Sequence, residues 1–257
     1  MSDAKNLLGS FVWYDQMSND LSGSERFYQK VVGWTLAPNT MNDQRYTVLK
    51  AGAAAVAGLM PIPPHAEGVP PCWMGYVAVD DVAAYAGKVK EAGGAIHRGP
   101  TEIPNVGTFA IAGDPDGAGF LLFKGLSAEA PAYEPMGLGH VGWRELNAGD
   151  GEKAFAFYEG LFGWTKTGAM PMGPSNVYQL FATKSGQEGA VFTKDADVPR
   201  PFWRFYFNVE GVDAASERVK AAGGKITNGP HEVPGGRWIV HALDPACAAF
   251  ALVAPKR

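Results

Sequence analysis

The sequence predicts an α+β fold made of two tandem copies of one unit, each copy a pair of βαβββ modules. Two observations predict it: a repeat that keeps one offset along the chain, and an element order that recurs within each copy. Residues 9–36 align without gaps on 139–166, an offset of 139 − 9 = 130, and 73–123 return on 203–253, an offset of 203 − 73 = 130. In the first block Trp13/Trp143, Asp20/Asp150, Phe27-Tyr28/Phe157-Tyr158 and Gly33-Trp34/Gly163-Trp164 coincide. In the second, Trp73/Trp203, Tyr76/Tyr206, Gly93-Gly94/Gly223-Gly224, Gly99-Pro100/Gly229-Pro230 and Asp114-Pro115/Asp244-Pro245 do. A constant offset over such a span marks a duplication, and a repeat of this kind decides the fold before any local reading. The copies then occupy residues 1–126 and 138–257, joined by a linker at 127–137 that is rich in Ala and Pro and has no periodicity.

Each element follows from local chemistry. Residues 10–18, SFVWYDQMS, are β-branched and aromatic, as a strand requires. Asp20 or Ser22 caps a helix that runs through FYQKVV and stops at Gly33. Short strands follow at Thr35–Ala37, Tyr46–Lys50 and Ala54–Met60, before the proline-rich connection PIPPHAEGVPP. The second module repeats the order: the strand WMGYVAVD, then a helix at Val82–Ala92 with Val82, Tyr85, Ala86 and Val89 on one face, broken by Gly93-Gly94. Strands at Ala95–Arg98, Val106–Ile111 and Gly119–Phe123 complete it, and DPDG between the last two is a type I hairpin signal.

The sequence combines FY-x-x-V/L-x-GW closing the first helix, V-D-D-V opening the second, AGG after it, and DPDG before the last strand. In that combination it resembles the vicinal oxygen chelate superfamily, which includes glyoxalase I, bleomycin-resistance proteins and extradiol dioxygenases. Both copies carry the pattern. The resemblance implies two glyoxalase-like domains, each a cupped mixed sheet that holds its ligand on the inner strands. In the family's enzymes a divalent metal sits there on His, Gln or Glu side chains.

Counted by the family's spacing, the ligand positions hold other chemistry. On the first strand they fall on Trp13 and Trp143, on the fifth on Met74 and Arg204, and on the last on Leu121 and Ala251. The fourth strand offers nothing in Val56–Met60 and only Glu188 in the second copy. Indole, guanidinium and alkyl groups do not bind divalent cations of this type, so no metal site and no cofactor are expected. The five histidines supply no pattern: His65 lies in the proline-rich connection, His97 near a strand end, and His231 in the loop after Gly229-Pro230. His140 faces away from Trp143 by strand alternation. His241 lies in the penultimate strand, where the first copy has Ile111; with Glu145 or Glu188 it is the remaining alternative for a divalent metal.

If Trp13 faces the first cup, alternation adds Phe11, Asp15 and Met17, while Met74 adds Tyr76 and Leu121 adds Phe123. The second cup would hold Trp143, Glu145, Arg204, Tyr206, Asn208, Ala251 and Val253, a more polar set. Apolar walls with a few convergent polar groups suit a small molecule. The candidate ligand-binding residues are therefore Trp13, Asp15, Met74, Tyr76, Leu121, Trp143, Glu145, Arg204 and Tyr206. The tryptophans serve either core packing or ligand contact. Glu145 and Arg204 are either an ion pair at a cup rim or a working pair, with Arg204 anchoring an anionic group and Glu145 moving a proton. The expected function is binding of a small aromatic or hydrophobic molecule, as in bleomycin-resistance relatives. The alternatives are a glyoxalase-type lyase or isomerase or a dioxygenase with a non-standard metal site, and a metal-free acid–base enzyme with Glu145, Arg204 and Tyr206 as candidate catalytic residues.

Composition narrows the partners. The 257 residues carry a formal net charge of −4, with 46% hydrophobic and 19% charged residues, and no Lys/Arg run exceeds two. Nucleic acid and anionic lipid are not expected partners. No stretch reaches the length of a membrane span and the first residues lack a secretory pattern. Cys72 and Cys247 lie far apart without metal-like spacing, which fits a reduced, cytoplasmic setting. A monomer or a homodimer is expected, since the fused copy can supply internally the partner that single-copy relatives find by dimerising.

Overall fold

The computed structural model describes residues 7–41, 44–66, 68–126, 134–173 and 176–257. The first module comprises β1 (Phe11–Ser18), α1 (Leu21–Val31), β2 (Thr35–Met41), β3 (Gln44–Ala51) and β4 (Ala54–Pro61). The second comprises β5 (Cys72–Ala78), α2 (Val82–Glu91), β6 (Ala95–Ile103), β7 (Gly107–Gly113) and β8 (Gly119–Gly125). The second copy repeats them: β9 (Val141–Ala148), α3 (Gly151–Phe162), β10 (Thr165–Pro171), β11 (Val177–Thr183) and β12 (Gly186–Thr193). Then follow β13 (Phe202–Asn208), α4 (Val212–Ala221), β14 (Lys225–Val233), β15 (Arg237–Leu243) and β16 (Ala249–Ala254). Each copy forms one eight-stranded mixed sheet, ordered β2-β3-β4-β1-β5-β8-β7-β6 and β10-β11-β12-β9-β13-β16-β15-β14. This is the α+β architecture read from the repeat.

The module's order dictates its pairing. A helix separates the first strand from the rest, so β1 can lie parallel to β4 and β5 to β8, while hairpins make β2–β3, β3–β4, β6–β7 and β7–β8 antiparallel. Three helices start on an aspartate whose carboxylate accepts a backbone N–H: Asp20 from Gly23, Asp81 from Ala84, and Asp150 from Glu152 and Lys153. Asp20, rather than Ser22, is thus the first cap.

Strand ends differ most from expectation. β6 was expected to stop at Arg98 and instead runs to Ile103; register shifts at Ile96/Arg98 and Arg98/Thr101 absorb Gly99-Pro100, which cannot join an unbroken ladder. The equivalent shift in β14 puts His231 inside a strand, not in a loop. Residues 127–133 of the expected linker lie outside the described residues.

Packing follows a division of its own. One compact unit contains Met1–Trp13, Met74–Ala130 and Arg144–Trp203; the other contains Tyr14–Trp73, Pro131–Trp143 and Arg204–Arg257. In the first, Tyr158 stacks on Trp164 with centroids 4.9 Å apart and Trp164 on Phe181 at 4.1 Å. Trp203 Nε1 donates to the Tyr158 hydroxyl at 3.2 Å, which donates to Asp114 Oδ2 at 3.4 Å, and Trp164 Nε1 donates to the Gly9 carbonyl at 2.7 Å. In the second unit, Trp73 Nε1 donates to the Tyr28 hydroxyl at 2.8 Å, Tyr28 donates to Asp244 Oδ2 at 3.0 Å, and Trp34 Nε1 donates to the Gly139 carbonyl at 2.8 Å. Asp114 and Asp244 also accept N–H groups of their own turns, at Asp116 and Ala118, and at Ala246 and Ala248. Burial pushes both carboxyls above the usual range. Gly9, at φ +84°, could not be replaced: a Cβ there would lie 2.7 Å from the Phe162 carbonyl oxygen.

Candidate functional site

The site residues sit on the first, fifth and last strands of each copy, where the pleat aims alternate side chains to one face. In the first copy, Tyr76 on β5 is in register with Leu121 on β8, which pairs with Ile111 on β7; Phe123 pairs with Phe109. Met74, Tyr76 and Leu121 are all buried, and Tyr76 meets the Phe123 ring edge-on at 5.8 Å. This wall is apolar apart from one phenol and the Met74 thioether, with the Arg98 guanidinium 5.3 Å from the Phe109 ring centre. Trp13 on β1 is partly buried. Phe11 departs from expectation: its ring lies 5.0 Å from Trp203 and 6.0 Å from Trp164, within the aromatic core.

Asp15, in the other compact unit, is buried and accepts the Tyr46 hydroxyl of β3 at 2.7 Å. Its partner across the ladder is Gly58 on β4. A Cβ at Gly58 would collide with the Tyr46 hydroxyl and with Asp15 Oδ1, so glycine makes room for the carboxylate–phenol pair. In the second copy Glu145, also buried, accepts the Tyr178 hydroxyl at 2.9 Å. Tyr46 and Tyr178 escaped the sequence reading because they stand at different offsets: position 176, 130 beyond Tyr46, is Asn176.

The second copy's wall is different. Tyr206 on β13 is in register with Ala251 on β16, which faces His241 on β15, and Val253 pairs with Ile239. Tyr206, Ala251 and Val253 form a buried cluster against which Trp143 and Ile239 pack. The Tyr206 hydroxyl lies 2.8 Å from His241 Nε2. Burial, then the positive Arg204, then His231 push the His241 imidazole down to about 3, so it is neutral at ordinary pH. Arg204 is partly buried on β13. Asn208 fastens the chain before β9: its amide donates to the carbonyls of Pro135 and Gly137, each at 2.9 Å, and its oxygen accepts Arg237 Nη2 at 2.8 Å. Burial lowers the Arg237 guanidinium, and among the described residues no acceptor reaches its buried Nε. Arg237 was not singled out from sequence; its counterpart, 130 residues earlier, is Gly107.

The residues at the family's ligand positions do not fit a divalent metal. The positions that the family's spacing marks carry indole, thioether, guanidinium and alkyl groups, none a ligand for a hard or borderline cation. Among the described residues no three His, Cys, Asp or Glu side chains gather into a group that could hold an ion. Glu188 is buried and engaged, accepting Thr183 Oγ1 at 2.6 Å and the Phe11 N–H at 3.4 Å.

Comparison with known proteins agrees with the repeat. The model of the glyoxalase/bleomycin resistance protein/dioxygenase superfamily matches twice, over residues 10–122 and 137–250. A Mycobacterium bovis protein named "Putative glyoxylase CFP32" is 30% identical over 247 residues, covering 95% of this chain and 94% of its own. The anthracycline biosynthesis protein DauV of Streptomyces sp. strain C5 is 30% identical over 269 residues, covering 95% and 93%. Among solved structures, the Mn(II)-bound glyoxalase from Novosphingobium aromaticivorans superposes with a TM-score of 0.65 at 17% identity, covering 96% of this chain and 82% of that one, a likeness of fold. The chain belongs to the glyoxalase/bleomycin resistance protein/dioxygenase superfamily, with one domain of that family in each copy.

Proposed function

We propose that this protein binds a small aromatic or hydrophobic molecule without a metal. The observation that carries the reading is the set of side chains at the family's ligand positions: Trp13, Met74 and Leu121 in one copy, Trp143, Arg204 and Ala251 in the other. These build apolar walls with few polar groups, the surface a small aromatic body needs. The names of the Streptomyces relatives, in anthracycline biosynthesis, favour an aromatic compound. A panel of aromatic and aliphatic compounds read by thermal shift tests the proposal, since a ligand at about 100 times its Kd adds roughly 2.7 kcal/mol. Aromatic members should raise Tm in protein freed of metal by chelation. One tightly held transition metal per copy, found by elemental analysis of protein purified without chelator or His tag, would defeat it.

A further inference from the structure

The two walls occupy equivalent positions in the repeat, so their differences show what each has been shaped for. Around Tyr76 the first copy sets Met74, Gly107, Phe109, Ile111, Leu121 and Phe123; at the same offset the second sets Arg204, Arg237, Ile239, His241, Ala251 and Val253 around Tyr206. Register confirms the equivalence, for Tyr76–Leu121–Ile111 and Tyr206–Ala251–His241 form the same cross-strand row. Two changes run together. Leu121 and both phenylalanines give way to Ala251, Val253 and Ile239, which withdraws hydrocarbon from beside the phenol. Met74, Gly107 and Ile111 give way to two guanidiniums and an imidazole, which adds positive charge and hydrogen-bond donors.

A packed wall gains little from such changes, because shortening buried side chains costs packing and burying a cation costs desolvation, which Asn208 offsets only in part for Arg237, whose buried Nε meets no acceptor among the described residues. A ligand answers both. We infer that the second copy holds the ligand site, and that it takes a flat apolar molecule bearing an anionic oxygen group, a carboxylate, phenolate or enolate. The body lies against Trp143, Ile239 and Val253, and the oxygens meet Arg204, Arg237 and the Tyr206 hydroxyl. His241 is a positioning residue. With the proton on Nε2 it donates to the Tyr206 oxygen at 2.8 Å and turns the phenolic hydrogen towards the anion. The first copy's wall, closed by Phe109, Leu121 and Phe123, is structural.

This inference rests on the small-molecule reading above, and one experiment separates them. The full chain is titrated calorimetrically with 2-naphthoate and with its neutral isostere 2-naphthamide. One 2-naphthoate per chain is expected, bound at least tenfold more tightly than the amide. Arg204→Met, restoring the first copy's residue, should weaken 2-naphthoate about tenfold or more and the amide by a clearly smaller factor, since the amide forfeits a hydrogen bond but no charge pair; Arg237→Met gives a second reading should the first variant fail to fold. His241→Ile should weaken the anion several-fold, and His241→Gln, which keeps a hydrogen bond to Tyr206, should recover most of the loss. Equal affinity for acid and amide, two equal sites per chain, or arginine variants within twofold of wild type would overturn the inference while leaving the binding reading standing. If neither probe binds, both fall.

Discussion

Replacing Tyr28 by Phe removes one oxygen, strands the Trp73 indole N–H and takes one donor from Asp244, which keeps Gln16 Nε2 at 3.0 Å and its turn N–H groups. Trp73 Nε1 loses its acceptor at 2.8 Å, and Asp244 loses a donor at 3.0 Å. Tyr28 is fully buried, so water cannot substitute. A stranded buried donor costs about 1–3 kcal/mol and a lost bond to a charged acceptor about 1.5–3 kcal/mol, so the variant should lose about 3–5 kcal/mol, roughly 10 °C in Tm. Tyr158→Phe removes the equivalent oxygen, but its bonds are longer, at 3.2 and 3.4 Å, and it should cost less. The pH dependence supplies a second check. Burial raises Asp244 above its unfolded value, so its contribution is fully present below the ordinary carboxylate pKa and is lost as pH rises through the raised folded value. Losing the Tyr28 donor raises that value further. The gap between wild type and Tyr28→Phe should therefore widen as pH climbs and shrink at about pH 4. Urea unfolding followed by tryptophan fluorescence at both ends of this range measures it. A loss no greater than that of Tyr158→Phe, or one indifferent to pH, would refute the reasoning.

Other consequences are direct. Gly58→Ala should destabilise by about 1–3 kcal/mol through overpacking, since its Cβ has no room between Tyr46 and Asp15; chemical denaturation reads it. Cys247 sits at φ +70° where the first copy has Gly117 at φ +96°, so Cys247→Gly should raise stability by about 1 kcal/mol, visible as a higher Tm. His241, held neutral by burial, has a folded value of about 3, below its unfolded one; its contribution is present above the unfolded value and lost as pH falls towards the folded one. His241→Gln should accordingly flatten the loss of stability on acidification, measured by Tm across that range.

The duplication, the βαβββ order and the helix caps were legible because each has a local cause: a fixed offset, a periodicity, or an aspartate before an apolar face. Strand ends were less so. Gly99-Pro100 reads as a stop, yet β6 passes it, because a register shift can accommodate a proline that a regular ladder cannot. At the site, Tyr76 and Leu121 come together as alternation requires, and Trp143 packs against the cluster that contains Tyr206. Tyr46 and Tyr178 were not legible: each reaches its carboxylate across the sheet from a strand where the copies have drifted in register, so neither offset nor spacing reveals the pair. Arg237 had a signal in the sequence, since a cation stands there where the first copy has Gly107.

The bridges from Tyr28 to Asp244 span 216 residues, and Trp34 finds its acceptor 105 residues downstream. Neither half of the gene therefore encodes a self-sufficient core. During synthesis the early aromatics must wait, exposed, until the last strands leave the ribosome, and contacts so remote in sequence close slowly. A chain cut at the join should yield two fragments that are insoluble apart and recover structure only when mixed, as the subunits of an ancestral dimer would.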